Sequence, residues 1–238
     1  MSDEPHSTEK RFSRRKALSW AGFTALAAAL GGFLYKHISS TSSVHVESFS
    51  TSGNGQKKNI LVMTGSGRTN GNSNLLANAF VTGAKEAGHT VNIFHTAMTP
   101  VHGCMHCEAC WSTGKPCVID DAFDQLFPLL EKADMLVFCS PLYWYNFSGQ
   151  IKCAIDRMYP YSKKKRLRSM NVRETMLLMC AQSHFLRSFA GPAEAYRQML
   201  GYKHWTDRGR LFVTGVDDLG DIVGHDALAK AEDMGRNA

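Results

Sequence analysis

The segment His102–Cys117 reads HGCMHCEACWSTGKPC and places four of the chain's seven cysteines, Cys104, Cys107, Cys110 and Cys117, within sixteen residues. Thiolates at this density support several kinds of chemistry. Four from one short run can ligate the irons of a [4Fe–4S] cluster, as ferredoxin-type runs do. Four can also hold zinc, although structural zinc sites usually join two separated pairs, and C-x2-C-x2-C-x6-C is less typical of them. In an oxidising compartment they can pair as disulfides. The spacing alone leaves these readings open. The other three cysteines, Cys139, Cys153 and Cys180, fall in apolar stretches and read as core residues.

Two further stretches carry recognition chemistry. TGSGRTNGNSNLL, from Thr64, is glycine-rich, with hydroxyls and amides at Ser66, Thr69, Asn70, Asn72, Ser73 and Asn74, and one cation, Arg68. It opens onto a helix, whose free amide hydrogens and positive dipole end suit an anion. There is no Walker lysine, and the glycines do not match G-x-G-x-x-G, so a phosphate monoester suits the loop better than a nucleoside triphosphate. A capped polar turn with no ligand is the competing reading. CSPLYWYNFSGQIK, from Cys139, sets Tyr143, Trp144 and Tyr145 beside Asn146 and Ser148. Aromatics and amides there suit the face and edge of a flat heteroaromatic ring, although Trp144 could instead pack beneath the neighbouring helix. A third polar loop, CAQSHF from Cys180, offers Ser183 and His184. His184 and Tyr143 are candidates for stacking or proton delivery.

The elements that must position these loops alternate. Apolar runs NILVMT, HTVNIFHT, MLVFCSP, ETMLLMCAQ and GRLFVTGV read as strands, each followed by a stretch with helical periodicity. Pro128, inside DDAFDQLFPLLEKAD, predicts a kink or irregularity in the second helix. Strands apolar on both faces and alternating with helices imply an α/β fold with a parallel sheet covered on both sides. Such sheets bind ligands beyond the carboxyl ends of their strands, which is where all three polar loops fall.

Together, GSGRTNGNSNLL, GCMHCEACWSTGKPCVIDD, ADMLVFCSPLYWYNFSGQIKCAIDR and GVDDLGDIVGHDALAKAEDMGR resemble the flavodoxin-like NAD(P)H-dependent FMN reductases, particularly their iron–sulfur flavoprotein branch. The resemblance spans Asn59 to Arg236. It implies a flavodoxin-like three-layer sandwich with a five-stranded parallel sheet of order 2-1-3-4-5 and bound FMN. It assigns the phosphate to Ser66, Arg68, Asn72, Ser73 and Asn74. The isoalloxazine ring falls to Pro141, Leu142, Tyr143, Trp144 and Asn146, with Ser183 as a third-loop contact. The four clustered cysteines become the ligands of a [4Fe–4S] cluster, with structural or vestigial cysteines as the alternative. Trp111 and Lys115 would then belong to a loop covering the flavin or a subunit contact. Gly67 departs from the family, which often has proline there.

The implied activity is transfer of electrons from NADH or NADPH through FMN to a small-molecule or protein acceptor, by a homodimer or higher homo-oligomer. A non-enzymatic FMN and iron–sulfur electron carrier is the alternative.

Ahead of this domain, SRRKALSWAGFTALAAALGGFLYK resembles a twin-arginine export signal: Arg14 and Arg15 precede a charge-free run from Ala17 to Tyr35. That run would span about 28 Å as a helix, barely a bilayer core. The expected organisation is a signal or membrane anchor over 1–38, a flexible Ser/Thr/Gly-rich linker over 39–56 and the FMN-binding domain over 57–238. An exported protein, periplasmic or membrane-anchored, follows, with a cytoplasmic location as the alternative. The net charge of +6 gathers partly near the N-terminus and in KKKRLR at 163–168, without interleaved aromatics, so no nucleic-acid function is read.

Overall fold

The computed structural model describes residues 56–162 and 168–238, with strand Val44–Glu47. The expected export signal lies outside the described residues. Among those described, no helix is long and apolar enough to cross a membrane.

Six strands form one sheet: β1 (Val44–Glu47), β2 (Asn59–Thr64), β3 (Thr90–His95), β4 (Met135–Pro141), β5 (Glu174–Cys180) and β6 (Thr206–Val213), in the order β1-β6-β5-β4-β2-β3. The pairs β2·β3, β2·β4, β4·β5 and β5·β6 are all parallel. Counting the parallel strands alone, the order is 2-1-3-4-5, the flavodoxin-like arrangement read from the sequence. Chain order reverses at β2, which lies between β3 and β4. The crevice at the carboxyl ends of β2 and β4 is therefore the topological switch point, where open α/β sheets bind ligands.

Successive strand residues face opposite ways, and both faces are buried. Ile60 and Val62 join Leu76, Phe80, Val137, Leu178, Leu211 and Ala231 under α1 (Asn72–Glu86) and α5 (Asp226–Arg236). Leu61 and Met63 join Leu126, Phe138, Ile151, Leu177, Tyr196 and Phe212 under α2 (Phe123–Lys132), α3 (Gly149–Asp156) and α4 (Ala190–Lys203). This explains why these strands read as unbroken apolar runs rather than alternating ones.

The α1 and α5 helices cross at two glycines. A Cβ at Gly83 would run into the Glu232 carbonyl, and one at Gly235 into the Phe80 carbonyl. Each helix backbone thus packs directly on the other.

One expectation is corrected. The linker contains a strand: Val44–Glu47 pairs antiparallel with β6, Val44 opposite Val213 and Val46 opposite Leu211. An uncovered β6 would present a row of unpaired backbone groups, and a short segment of period-two VHVE satisfies them. Pro128 lies inside its helix, which continues to Lys132. The proline removes only one backbone donor, and the face bearing Phe123, Leu126 and Leu130 stays buried on the sheet.

Candidate functional site

The loop leaving β2 turns through Gly65–Gly71 into α1, whose N-cap is Gly71 and makes no side-chain capping bond. Leu75 N–H closes the first helical turn on the Gly71 carbonyl at 3.0 Å. Ahead of it lie the N-terminal amides of Asn72, Ser73 and Asn74, which an α-helix cannot pair internally. No acidic side chain occupies the first turn, so the dipole end is uncompensated.

Side chains around this loop hold it rather than decorate it. Asn74 Nδ2 donates to the Arg68 carbonyl at 2.8 Å, while its Oδ1 is buried without a partner. Ser66 Oγ accepts from the Arg68 amide at 3.2 Å, and the buried Cys139 thiol donates to the Ser73 carbonyl at 3.0 Å. Burial pushes the Cys139 thiol well above its usual range, so it acts as a neutral donor.

The loop leaving β4 is fastened to the first one. Ser148 Oγ donates to the Gly65 carbonyl at 2.8 Å, and Ser148 N–H donates to Ser140 Oγ at 3.0 Å. Between them the chain makes a two-residue turn. Tyr143 N–H donates to the Asn146 carbonyl and Asn146 N–H to the Tyr143 carbonyl, each at 3.0 Å. The central residues, Trp144 and Tyr145, take φ of 47° and 59°. Asn-Gly is the usual occupant of such a turn, and bulky side chains at positive φ are strained. Trp144 is 96% exposed, so it does not pack beneath α3. The Tyr145 carbonyl lies where a Cβ on Gly191 would sit, and α4 can begin this close only because that residue is glycine.

Beyond β5, Ser183 Oγ shares a 2.7 Å hydrogen bond with Ser188 Oγ and accepts from Phe185 N–H at 3.2 Å. Gln182 instead reaches across, its Nε2 donating to Asp217 Oδ2 at 2.9 Å. Asp217 belongs to the turn after β6. That turn also accepts from Arg68 Nη1 at the Asp217 carbonyl, 3.0 Å, and from Asn72 Nδ2 at the Asp218 carbonyl, 2.9 Å.

These four loops enclose a cleft of about 260 Å³ at the carboxyl ends of the strands. Of the residues assigned to FMN, Ser66, Arg68, Asn72, Ser73, Pro141, Leu142 and Tyr143 line it. Four assigned residues do not. Asn74 lies beneath the loop, Trp144 points to solvent, Asn146 turns its Oδ1 onto the Phe147 amide, and Ser183 bonds its own loop. His184 is also outside the lining, with Nδ1 buried and unpartnered. The lining adds Gly71, Cys180, Ala181, Gln182, Val216 and Asp217. Cys180, read as core, is a buried thiol pushed up to about 12 by desolvation, so it meets the cleft uncharged. Only the GVDD stretch hinted at the fourth loop, and nothing in its residue types marks which atoms face the cleft.

The cysteine segment sits between β3 and α2. All four cysteines line one cleft of about 20 Å³ with His106, Ile119, Arg157 and Tyr159. Its backbone takes the left-handed conformation at His106 and Glu108, φ 53° and 59°, and His106 N–H points to Cys104 Sγ at 3.4 Å. The Cys110 thiol is pushed up by burial and by the neighbouring Cys117, Cys104 and Cys107 thiols. Trp111 packs edge-on against Tyr159, ring centroids 5.1 Å apart, rather than over the cleft at the strand ends. Cys153, also read as core, is half-buried, and a Cβ added at Gly103 would lie 3.9 Å from its Sγ. In number and chemistry the four thiols fit an iron–sulfur cluster. As placed, no three potential metal ligands among the described residues converge on one point.

For a phosphorylated flavin the fit is fuller: one cleft is lined both by the residues of the α1 amino end with Arg68 and by Pro141, Leu142, Tyr143, Ala181 and Val216. The chain belongs to the NADPH-dependent FMN reductase family, which residues 58–213 match.

Among curated relatives, it is 33% identical over 104 residues to the "Iron-sulfur flavoprotein" of Archaeoglobus fulgidus, covering 44% of this chain and 47% of that one. It is 31% identical over 98 residues to a protein of the same name from Methanosarcina thermophila, covering 41% and 51%. The chain therefore spans about half the length of the curated relatives it matches. Among solved structures, an NAD(P)H:quinone oxidoreductase from Methanothermobacter marburgensis superposes with a TM-score of 0.61 at 22% identity, covering 76% of this chain and 97% of that one. At that identity the likeness supports the fold alone.

Proposed function

We propose that the protein binds FMN in the cleft at the carboxyl ends of β2, β4 and β5 and passes electrons from NADH or NADPH to an acceptor. One observation carries this reading. The uncapped amino end of α1, with its first-turn amides unpaired internally and Arg68 alongside, opens into a cleft that Pro141, Leu142, Tyr143, Ala181 and Val216 also line. The amides of Asn72, Ser73 and Asn74 would donate to the phosphoryl oxygens, and Arg68 would add a charge-assisted contact. Pro141, Leu142 and Tyr143 would lie against the ring system, with Cys180, Ala181 and Val216 keeping water from its buried edge. FMN, when bound, supplies the exchange of electrons between nicotinamide and acceptor, while the protein supplies position and electrostatics. No side-chain nucleophile or carboxylate dyad is required.

The four thiols Cys104, Cys107, Cys110 and Cys117 are proposed as the donor set of a [4Fe–4S] cluster. Their compact C-x2-C-x2-C-x6-C run and the names of the relatives support that reading. Export through the paired arginines and a homo-oligomeric state belong to the same proposal. A folded route would allow a cofactor-loaded protein to cross.

The test is an anaerobic visible spectrum of the purified protein with iron and sulfide analysis, followed by steady-state NADPH and NADH oxidation with a quinone or free flavin. Flavin bands, with turnover of at least one nicotinamide, are expected. A colourless protein that takes up no FMN on reconstitution overturns the proposal. A yellow protein inert to both nicotinamides overturns its enzymatic part and leaves an electron carrier.

A further inference from the structure

The turn after β6 meets the phosphate loop through its main chain, and one side chain fixes that main chain. Asp221 Oδ2 accepts from the Asp217 amide at 2.9 Å and the Asp218 amide at 2.8 Å. The Asp218 N–H and the Asp217 carbonyl belong to the same peptide group. Asp221 therefore holds one end of that peptide while Arg68 Nη1 donates to the other at 3.0 Å. A peptide hydrogen-bonded at both ends, on one side to a carboxylate and on the other to a guanidinium, is polarised so that each bond strengthens the other. The next carbonyl, Asp218, receives Asn72 Nδ2 at 2.9 Å, and Asn72 Oδ1 accepts from Ile222 N–H at 3.3 Å. The Asn72 side chain is thus committed to this turn at both ends, which leaves its backbone amide for a ligand.

A carboxylate beside an anion site ordinarily opposes binding. Here the negative charge of Asp221 is engaged by two amides, and that of Asp217 receives Gln182 Nε2. The turn acts on the phosphate loop through carbonyl oxygens.

We infer that Asp221 is a positioning residue for phosphate recognition: it orients the 217–218 peptide, whose neighbouring carbonyls hold Arg68 and Asn72 so that the α1 amides and the guanidinium meet the phosphoryl group together. This rests on the proposed FMN reading. It assigns Asp221 no contact with the cofactor.

The experiment titrates the full-length apoprotein and its variants with FMN and with riboflavin, which has the same ring and no phosphate. Asp221→Ala is expected to lower FMN affinity about tenfold and to leave riboflavin affinity unchanged. Asp221→Asn keeps a carbonyl oxygen that can accept both amides, and restores FMN affinity to within about threefold of the parent. Asn72→Ala removes the neighbouring contact, from Asn72 Nδ2 to the Asp218 carbonyl. Combined with Asp221→Ala, it should give less than the product of the two separate losses.

Equal losses for FMN and riboflavin, full multiplicativity of the two substitutions, or an unaltered preference for FMN in Asp221→Ala would each overturn the inference. If Asp221→Ala does not fold, Asn72→Ala tested with both flavins decides by the same criterion. Failure of the unsubstituted protein to bind FMN is a different result, and counts against the proposed function itself.

Discussion

Arg157 and Asp121 form a buried two-pronged pair: Nη1 reaches Oδ2 at 2.9 Å and Nη2 reaches Oδ1 at 3.2 Å, with side chains 1% and 4% exposed. The guanidinium also donates to the His102 carbonyl at 3.1 Å, and the carboxylate accepts from the His102 and Phe123 amides at 2.8 and 2.9 Å. The pair therefore ties together the two ends of the cysteine segment and the first turn of α2. Burial raises the Asp121 carboxyl, but the bonds from Arg157, His102 and Phe123 outweigh it and hold the group below its ordinary value.

Arg157→Ala leaves a buried carboxylate without its counter-charge and should destabilise the fold by about 3–5 kcal/mol, measured by urea denaturation. Because the folded Asp121 is the stronger acid, its stabilisation is complete above the unfolded-chain pKa of about 3.9 and is lost as pH falls through the lower folded value. Denaturation between pH 7 and pH 2 should show that loss in the parent. A parent and Arg157→Ala of equal stability at pH 7 would refute the role given to the pair.

Gly83→Ala sets two effects against each other. Helix propensity favours alanine by about 1 kcal/mol, whereas the added Cβ meets the Glu232 carbonyl of α5, which cannot rotate away. Overpacking of this kind costs about 1–3 kcal/mol, so a net loss of stability is expected in a thermal or urea melt.

Tyr145→Gly separates strain from recognition. Positive φ at Trp144 and Tyr145 costs on the order of 1 kcal/mol for each residue, and glycine at the second position removes its share. The melting temperature should hold or rise while FMN affinity falls, since the strained turn adjoins the Tyr143 wall of the cleft. A marked drop in melting temperature would show that the aromatic ring, not the backbone, holds this turn.

Gly67→Ala should be nearly silent. An added Cβ would meet only the Ala97 Cβ, at 3.7 Å. Gly67 is not among the residues of positive φ. Stability should rise by about 0.4–1 kcal/mol through the unfolded chain, with FMN affinity unchanged.

The parts of this fold legible from sequence are those governed by period. NILVMT and MLVFCSP are apolar on both faces because both faces are covered, so the parallel sheet could be read directly. Cleft residues adjoining a strand end, such as Ser66, Arg68 and Pro141–Tyr143, were legible for the same reason. Side-chain direction was not. Asn146 and Ser183 have suitable chemistry in suitable loops, yet Asn146 Oδ1 is taken by the Phe147 amide and Ser183 Oγ by Ser188 and Phe185. Asp217 and Gln182 enter the cleft through a contact between loops thirty-five residues apart, which no local pattern announces. The strand Val44–Glu47 was hidden because its only reason to form is the vacant edge of β6, and that edge exists only in the assembled sheet.

The family match covers 58–213, whereas β1 lies before that span and α5 after it. The matched span is thus narrower than the folded unit. A chain trimmed to the homologous region would bare one sheet edge and strip α1 of the glycine-notched neighbour it lies against. It would also end at Val213, just short of the Asp217–Ile222 turn that grips Arg68 and Asn72. The cleft lining within 58–213 and the turn that fastens Arg68 and Asn72 are thus encoded in adjoining lengths of chain.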